Sequence, residues 1–417
     1  MSAVPRFSPA LVVILAGVSA ALHVGKLPPA LPVLREALGI SLLQSGFLLS
    51  MVQLAGMTLG LAVGLTADGL GLRRSLLTGL WVLFSAGTLG GCAQTATTLI
   101  ALRALEGFGF LLVSLPAPSL IRQLVAPHRL SATLGLWGAY MPFGTAMALL
   151  VGPLVILASG WPVWWWGTAG LSLGMAVWVW RVVPSDRLRQ RDAPPIQKTA
   201  TAQGWPQRLR QTLTSPGPWL VALSFAMYSG QWLAVIGFLP SIYAQTGMSA
   251  GTSAGLTALA AAVNMVGNIA SGRLLQRGVP AQRLLVIGFG VMAGGAFLAF
   301  ATWAGTAGAD LSPVARYGAI LLFSGVGGMI PGTLFSLAVR LAPNERTVST
   351  TVGWMQQWSA LGQFAGPPLV AWVASAAGGW HWTWAVTGAC SALGILLAWQ
   401  VGCQASLKWV KQKQPEA

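Results

Sequence analysis

Twelve apolar runs follow one another along the 417 residues, roughly centred on 20, 54, 84, 110, 145, 172, 231, 263, 293, 327, 361 and 391. About 20 apolar residues cross the hydrocarbon of a bilayer as a helix. A helix is required there because it satisfies its own backbone N–H and C=O groups where no water reaches. Composition agrees: 55% of residues are hydrophobic and 8% charged, against about 25% charged in soluble domains. The chain is therefore expected to be an all-α integral membrane protein with 12 transmembrane helices. A net charge of +16 would point to nucleic acid in a soluble protein. Here the basic residues fall in short loops between apolar runs, so no nucleic-acid partner is expected and the bilayer is the surrounding medium.

Orientation follows from where the arginines and lysines fall. With the N-terminus in the cytoplasm, Arg6, Arg73, Arg74, Arg122, Arg129, the cluster from Arg181 to Arg210, Arg273, Arg277, Arg283, Arg340, Arg346, Lys408, Lys411 and Lys413 lie inside. Only Lys26, Arg35, Arg103 and Arg316 are left outside or within the membrane. The reverse orientation inverts that bias, so both termini are expected in the cytoplasm of a multi-pass protein of the bacterial inner membrane. The first run, Pro9 to Val24, continues through Lys26 to Leu31, which favours a retained helix over a cleaved signal peptide. Cys92, Cys390 and Cys403 lack metal-ligand spacing and read as packing residues, and neither metal nor cofactor is expected.

The one long polar segment, Val183 to Pro218, divides the spans six and six. The expected organisation is a first bundle over 1–183, a cytoplasmic linker over 184–217, a second bundle over 218–404 and a tail over 405–417. An internal repeat supports it. Leu31-Pro32 and Gly39-Ile40-Ser41 recur as Leu239-Pro240 and Gly247-Met248-Ser249, and the same offset carries Gly64 to Gly272. Gly135 and Gly144 recur as Gly353 and Gly362, and Gly160-Trp161 as Gly379-Trp380. Two pseudo-symmetric six-helix bundles follow from a duplicated plan of this kind. Trp161, Trp164, Trp165, Trp166, Trp380, Trp382 and Trp384 are expected at headgroup level, where amphipathic indoles anchor.

Ionisable groups inside spans are costly, about 2.5 to 3.5 kcal/mol at a helix centre, and usually face a cavity. His23 and Lys26 lie three apart on one face of the first helix, where an ammonium beside an imidazole suits a small anion. Lys26 snorkelling to the interface is the alternative. Arg103 and Glu106 are likewise three apart in the fourth helix, either a salt bridge near its end or a proton-carrying pair. Uncharged polar and aromatic groups add a plausible pocket: Trp137 and Tyr140, Tyr228, Gln231 and Trp232, Asn264 and Asn268, Gln356, Gln357 and Trp358. Any one of these could instead only bond helix to helix.

Between the second and third spans, Gly64 to Arg74 packs an acid, three glycines and paired arginines into one turn. It resembles the Gly-x-x-x-Asp-Arg-x-Gly-Arg-Arg loop of the major facilitator superfamily. Gly64, Asp68, Gly71 and Arg73 fall on the pattern, Gly69 and Leu72 depart from it, and Arg74 adds a second arginine. Arg103, Gly107 and Gly109 resemble that family's Arg-x-x-x-Gly-x-Gly motif, whose arginine is associated with proton coupling. The segments Lys26-Leu27-Pro28-Pro29, Gly135-Leu136-Trp137-Gly138-Ala139 and Trp354-Met355-Gln356-Gln357 are similar to the cyanate permease and related anion-uptake branch. The resemblance implies a secondary transporter working by alternating access, with His23, Lys26, Tyr140, Gln231, Trp232, Asn264, Gln356 and Gln357 at the substrate. It further implies Arg103 and Glu106 in proton coupling, and Gly64, Asp68, Gly71, Arg73 and Arg74 in gating.

The expected cargo is a small organic or inorganic anion, moved with protons if Glu106 titrates, by a monomer that is not an enzyme. One alternative is an efflux pump for hydrophobic drugs or metabolites; another is a membrane sensor that keeps the fold without transport. No phosphate-binding Gly-Lys-Ser/Thr loop is present, which argues against drive by ATP.

Overall fold

The computed structural model describes residues 8–39, 48, 51–62, 71–186, 204–302 and 311–413. Gly64 and Asp68, two of the expected gating residues, lie outside the described residues. The first half comprises α1 (Pro9–Gly25), α2 (Leu27–Leu38), α3 (Met51–Ala62), α4 (Leu72–Gly90), α5 (Ala96–Ser114), α6 (Ala117–Leu124), α7 (Pro127–Gly138), α8 (Tyr140–Ser159) and α9 (Trp161–Val182). A short helix, α10 (Trp205–Thr214), leads to the second half. There α11 (Pro216–Gln245), α12 (Ala250–Ala262), α13 (Asn264–Gln276), α14 (Ala281–Phe300), α15 (Pro313–Gly327), α16 (Met329–Leu341), α17 (Val348–Ala376) and α18 (Thr383–Lys413) follow.

Taken with their breaks, these helices make twelve spans. The pairs α1 with α2, α5 with α6, α7 with α8, α12 with α13 and α15 with α16 are each one rod interrupted by a residue or two. Eight of the twelve are long and apolar enough to cross a membrane by composition alone. The other four, α3, α4, α9 and α17, are shorter or richer in glycine, tryptophan and glutamine.

Local chemistry sets the ends. Thr95, Ser249 and Ser312 each accept the backbone N–H three residues on, capping α5, α12 and α15. The start of α4 is capped from elsewhere: Asp186, just past α9, accepts the N–H groups of Arg73 and Arg74 at 3.0 and 3.2 Å. A carboxylate there offsets the positive end of the helix dipole. Gly71, whose φ of 94° only glycine adopts without strain, bends the chain into that position.

The pairing of spans in the first half recurs six spans later. The first packs on the fifth and sixth and the third on the fourth and sixth; the seventh packs on the eleventh and twelfth and the ninth on the tenth and twelfth. The repeat extends to single residues. A Cβ on Gly144 would meet Ala21 and the carbonyl of Val18, and one on Gly362 would meet Ser229 and the carbonyl of Ala226, their counterparts at the offset of the repeat. Gly39 and Gly247, another pair, both carry positive φ. The halves meet where α7 and α8 pack on α13 and α12, and where α3 lies against α17 through Gly56 at Ala360 and Gly60 at Gln357.

The tryptophans of α9 correct one expectation. Trp161, Trp164 and Trp165 are 8%, 5% and 0% exposed, and only Trp166 is open, at 43%. Their three-and-four spacing puts the first three on the face that α9 turns toward the first span, so they are bundle core rather than a headgroup anchor.

Candidate functional site

A cavity of ≈ 70 Å³ lies between the halves and draws its lining from both. Its polar rim is uncharged. Trp232 donates its indole N–H to Ser324 Oγ at 3.0 Å, Asn264 donates to the Ser324 carbonyl at 2.7 Å, and the Tyr228 hydroxyl donates to Asn264 Oδ1 at 3.1 Å. This network ties the seventh, eighth and tenth spans together beside the cavity. Across from it, Gln53 of α3 donates to Gln363 Oε1 of α17 at 3.0 Å, and Gln363 donates to Ser359 Oγ at 3.2 Å. Tyr140 stacks on Trp137, centroids 4.2 Å apart, and its hydroxyl is hydrogen-bonded with Gln356. Phe110, Phe225 and Phe335 complete the walls.

Of the residues expected at the substrate, Tyr140, Trp232, Asn264 and Gln356 line this cavity. Gln231 points the other way, donating to Met227 O and accepting from Ser391 Oγ in α18. Gln357 accepts the Leu61 N–H at 2.8 Å, a bond between the halves. Sequence reasoning passed over Gln53 and Gln363, although both are amides near the centres of their spans.

His23 and Lys26 are brought together with Arg103 and Glu106, but inside the first half and away from the cavity lining. All four are at most 1% exposed. Lys26 Nζ lies 2.5 Å from Glu106 Oε1, and Arg103 Nη1 lies 2.7 Å from Glu106 Oε2 and donates to the His23 carbonyl. His23 reaches Glu106 through Nδ1 at 3.2 Å and Ser172 of α9 through Nε2 at 2.9 Å. The Lys26 ammonium sits 4.6 Å from the Trp165 ring, and the Trp164 indole donates to the Lys26 carbonyl. Room for the imidazole comes from Gly87 of α4, where a Cβ would stand 3.1 Å from His23 Cε1. The chemistry is a sealed cluster of two cations on one carboxylate. Glu106 is one helical turn, about 6 Å along the axis, from the cavity-lining Phe110. The second half holds a neutral copy: Gln231 and Ser391, the counterparts of His23 and Ser172 in the repeat, are bonded at 3.0 Å.

A third group of bonds joins the halves at the arginine-rich end. Arg122 pairs with Glu345, Ser119 Oγ meets Ser349 Oγ at 2.8 Å, and Gln276 donates to the His128 carbonyl at 2.9 Å. Here α7 and α13 touch backbone to backbone, since a Cβ on Gly272 would lie 2.6 Å from the Ser131 carbonyl. Gly71, Arg73 and Arg74 are at this end too; Arg73 bonds to Asp186 and the Trp180 carbonyl, and Arg74 to Asp186, so these bonds do not cross to the second half.

A family model described as Major Facilitator Superfamily matches residues 10–367. The chain belongs to the major facilitator superfamily. It is a multi-pass membrane protein of that family. Among its relatives, the cyanate transport protein CynX of Escherichia coli (strain K12) is 24% identical over 254 residues, 60% of this chain and 62% of CynX. The methylenomycin A resistance protein of Streptomyces coelicolor is 32% identical over 132 residues, 31% of this chain and 27% of that protein. The matches thus span less than two thirds of either relative's length. The proton:xylose symporter XylE, solved with 6-bromo-6-deoxy-D-glucose bound, superposes with a TM-score of 0.74 at 16% identity over 94% of this chain and 95% of that one. That likeness shows a fold shared over nearly the whole of both chains.

Proposed function

We propose that the cavity between the halves is the solute site of an alternating-access transporter whose cargo is a small anion moved together with a proton. The observation that carries this reading is the position of the cavity: both halves line it, Gln53 and Gln363 bond across it, and Arg122 with Glu345 and Ser119 with Ser349 join the halves beyond it at the arginine-rich end. Rocking of the halves would expose such a site to each side in turn. A volume of ≈ 70 Å³ suits a solute of about three or four heavy atoms, being half that of the ~150 Å³ cavity that takes up benzene. A relative is a cyanate transport protein, which favours a solute whose dissociated form is an anion. In this reading the halves are 1–183 and 218–404, joined by the linker 184–217 and followed by the tail 405–417.

The test is a thermal-shift screen of the purified protein against small anions. At least one should raise the unfolding midpoint of the native chain and of Lys26→Ala but not of Trp232→Ala. Failure of every small anion to stabilise the native chain would remove the substrate class. A second reading, efflux of an apolar compound, draws on the aromatic walls and the methylenomycin A resistance relative. It predicts stabilisation by hydrophobic or cationic compounds instead.

The arginine-rich end is assigned to the cytoplasm of a bacterial inner membrane, with both termini there. Cys92, exposed just past α4 at the opposite end, should then react in intact cells with a membrane-impermeant maleimide, and Cys92→Ser should abolish the signal. Labelling that survives in Cys92→Ser and vanishes in Cys403→Ser would mean the reverse topology.

A further inference from the structure

We infer that the cargo occupies the cavity without net charge, so that an acid travels carrying its own proton. The inference rests on the reading of the cavity as the solute site and names the form in which the solute is held there. No lysine, arginine, histidine, aspartate or glutamate lines the cavity among the described residues. Its titratable side chains are Tyr140 and Tyr228, phenols ordinarily neutral below about pH 10, with hydroxyls bonded to Gln356 and Asn264.

A small ion without a counter-charge is penalised heavily in such a site. The charge cluster one turn along α5 from Phe110 does not relieve it. Glu106 has one oxygen on Lys26 and the other on Arg103, and the whole cluster is sealed within the first half. The carboxylate named from sequence as the proton carrier is thus shut off from the cargo by two cations that hold it.

Hydrogen-bond chemistry points the same way. Asn264 is committed to Tyr228, Asn268 and Ser324 and Gln363 to Gln53 and Ser359, which leaves Gln53 and Gln356, each with one such bond, to present an N–H₂ edge and a carbonyl that only accepts. A carboxylate offers acceptors alone and would set its negative oxygens against those carbonyls. A protonated carboxyl, or a primary amide of the same shape, offers a donor and an acceptor in one plane and pairs with an amide edge at both positions. The solute class that fits is a short neutral acid or its amide isostere, of about three or four heavy atoms at ≈ 70 Å³. Binding takes the acid with its O–H bond intact, and release into a less acidic compartment lets that proton leave to water, so solute and proton move together with no group on the protein changing charge.

The experiment is calorimetric titration of the purified full chain, and of Trp232→Ala, with acetate, acetamide and thiocyanate at several pH values above the dissociation range of acetic acid. Acetate should weaken about tenfold per pH unit, as its protonated fraction does. Acetamide should bind equally at every pH, thiocyanate should give no signal, and Trp232→Ala should lose the first two. Thiocyanate binding that is constant with pH and lost in Trp232→Ala would overturn the neutral-cargo inference while leaving the cavity as an anion site. Absence of any Trp232-dependent signal from all three probes would overturn the reading of the cavity, and the inference with it.

Discussion

Replacing Glu106 with glutamine should destabilise the protein by about 3–5 kcal/mol, the usual cost of removing one partner from a buried charge cluster. The change leaves Lys26 and Arg103 facing each other in a sealed interior with no anion between them. Lys26→Met should be far milder, because Arg103 and Glu106 remain as a balanced, hydrogen-bonded pair and the methionine fills the volume beside Trp165. Combining the two should cost less than the single Glu106 change, since one orphaned cation is removed. Denaturation midpoints of the four proteins in one detergent measure this cycle directly. If Lys26→Met were as damaging as Glu106→Gln, the excess of cations would not be what the carboxylate is there to offset.

Gly272→Trp should cut turnover at least severalfold while leaving solute binding in place. Gly272 lies in α13, where it packs on the backbone of α7 in the other half; even a methyl group there would stand 2.6 Å from the Ser131 carbonyl and 3.2 Å from Ala132 and Gly135. An indole cannot fit while the arginine-rich ends are together. Overpacking of this kind costs about 1–3 kcal/mol, enough to deplete the closed arrangement roughly 5- to 150-fold. The cavity residues lie elsewhere, so affinity for a stabilising solute should change little. Exchange measured in proteoliposomes beside thermal-shift affinity separates the two quantities. Unaltered exchange would mean that α7 and α13 need not close for transport.

Much of this architecture is legible from the sequence because its signals are long or repeated. A 20-residue apolar run leaves the backbone few choices in lipid, and the glycine pairs Gly144 with Gly362 and Gly39 with Gly247 report positions where two copies of one fold need the same close approach or the same turn. Side-chain direction is harder. Gln231 and Trp232 are neighbours in sequence, yet about 100° apart around the helix, so one joins α18 and the other lines the cavity. Spacing along α1 and α5 puts His23 beside Lys26 and Arg103 beside Glu106, but only packing reveals that the two pairs face each other. Gln53 and Gln363 were overlooked for a related reason: an amide in mid-span raises little alarm, and their mutual bond depends on how the halves are docked.

The neutral copy of the cluster has a consequence for how the two arms of the molecule tolerate substitution. Gln231 and Ser391 meet through an amide and a hydroxyl that carry no charge, so losing either partner between the seventh and twelfth spans leaves one unmet hydrogen bond, a cost of about 1–3 kcal/mol. The matching seam between the first and sixth spans runs through an imidazole that also touches the Glu106 carboxylate, so a change there disturbs a charge cluster as well. One arm forgives drift in its sequence, and its twin does not.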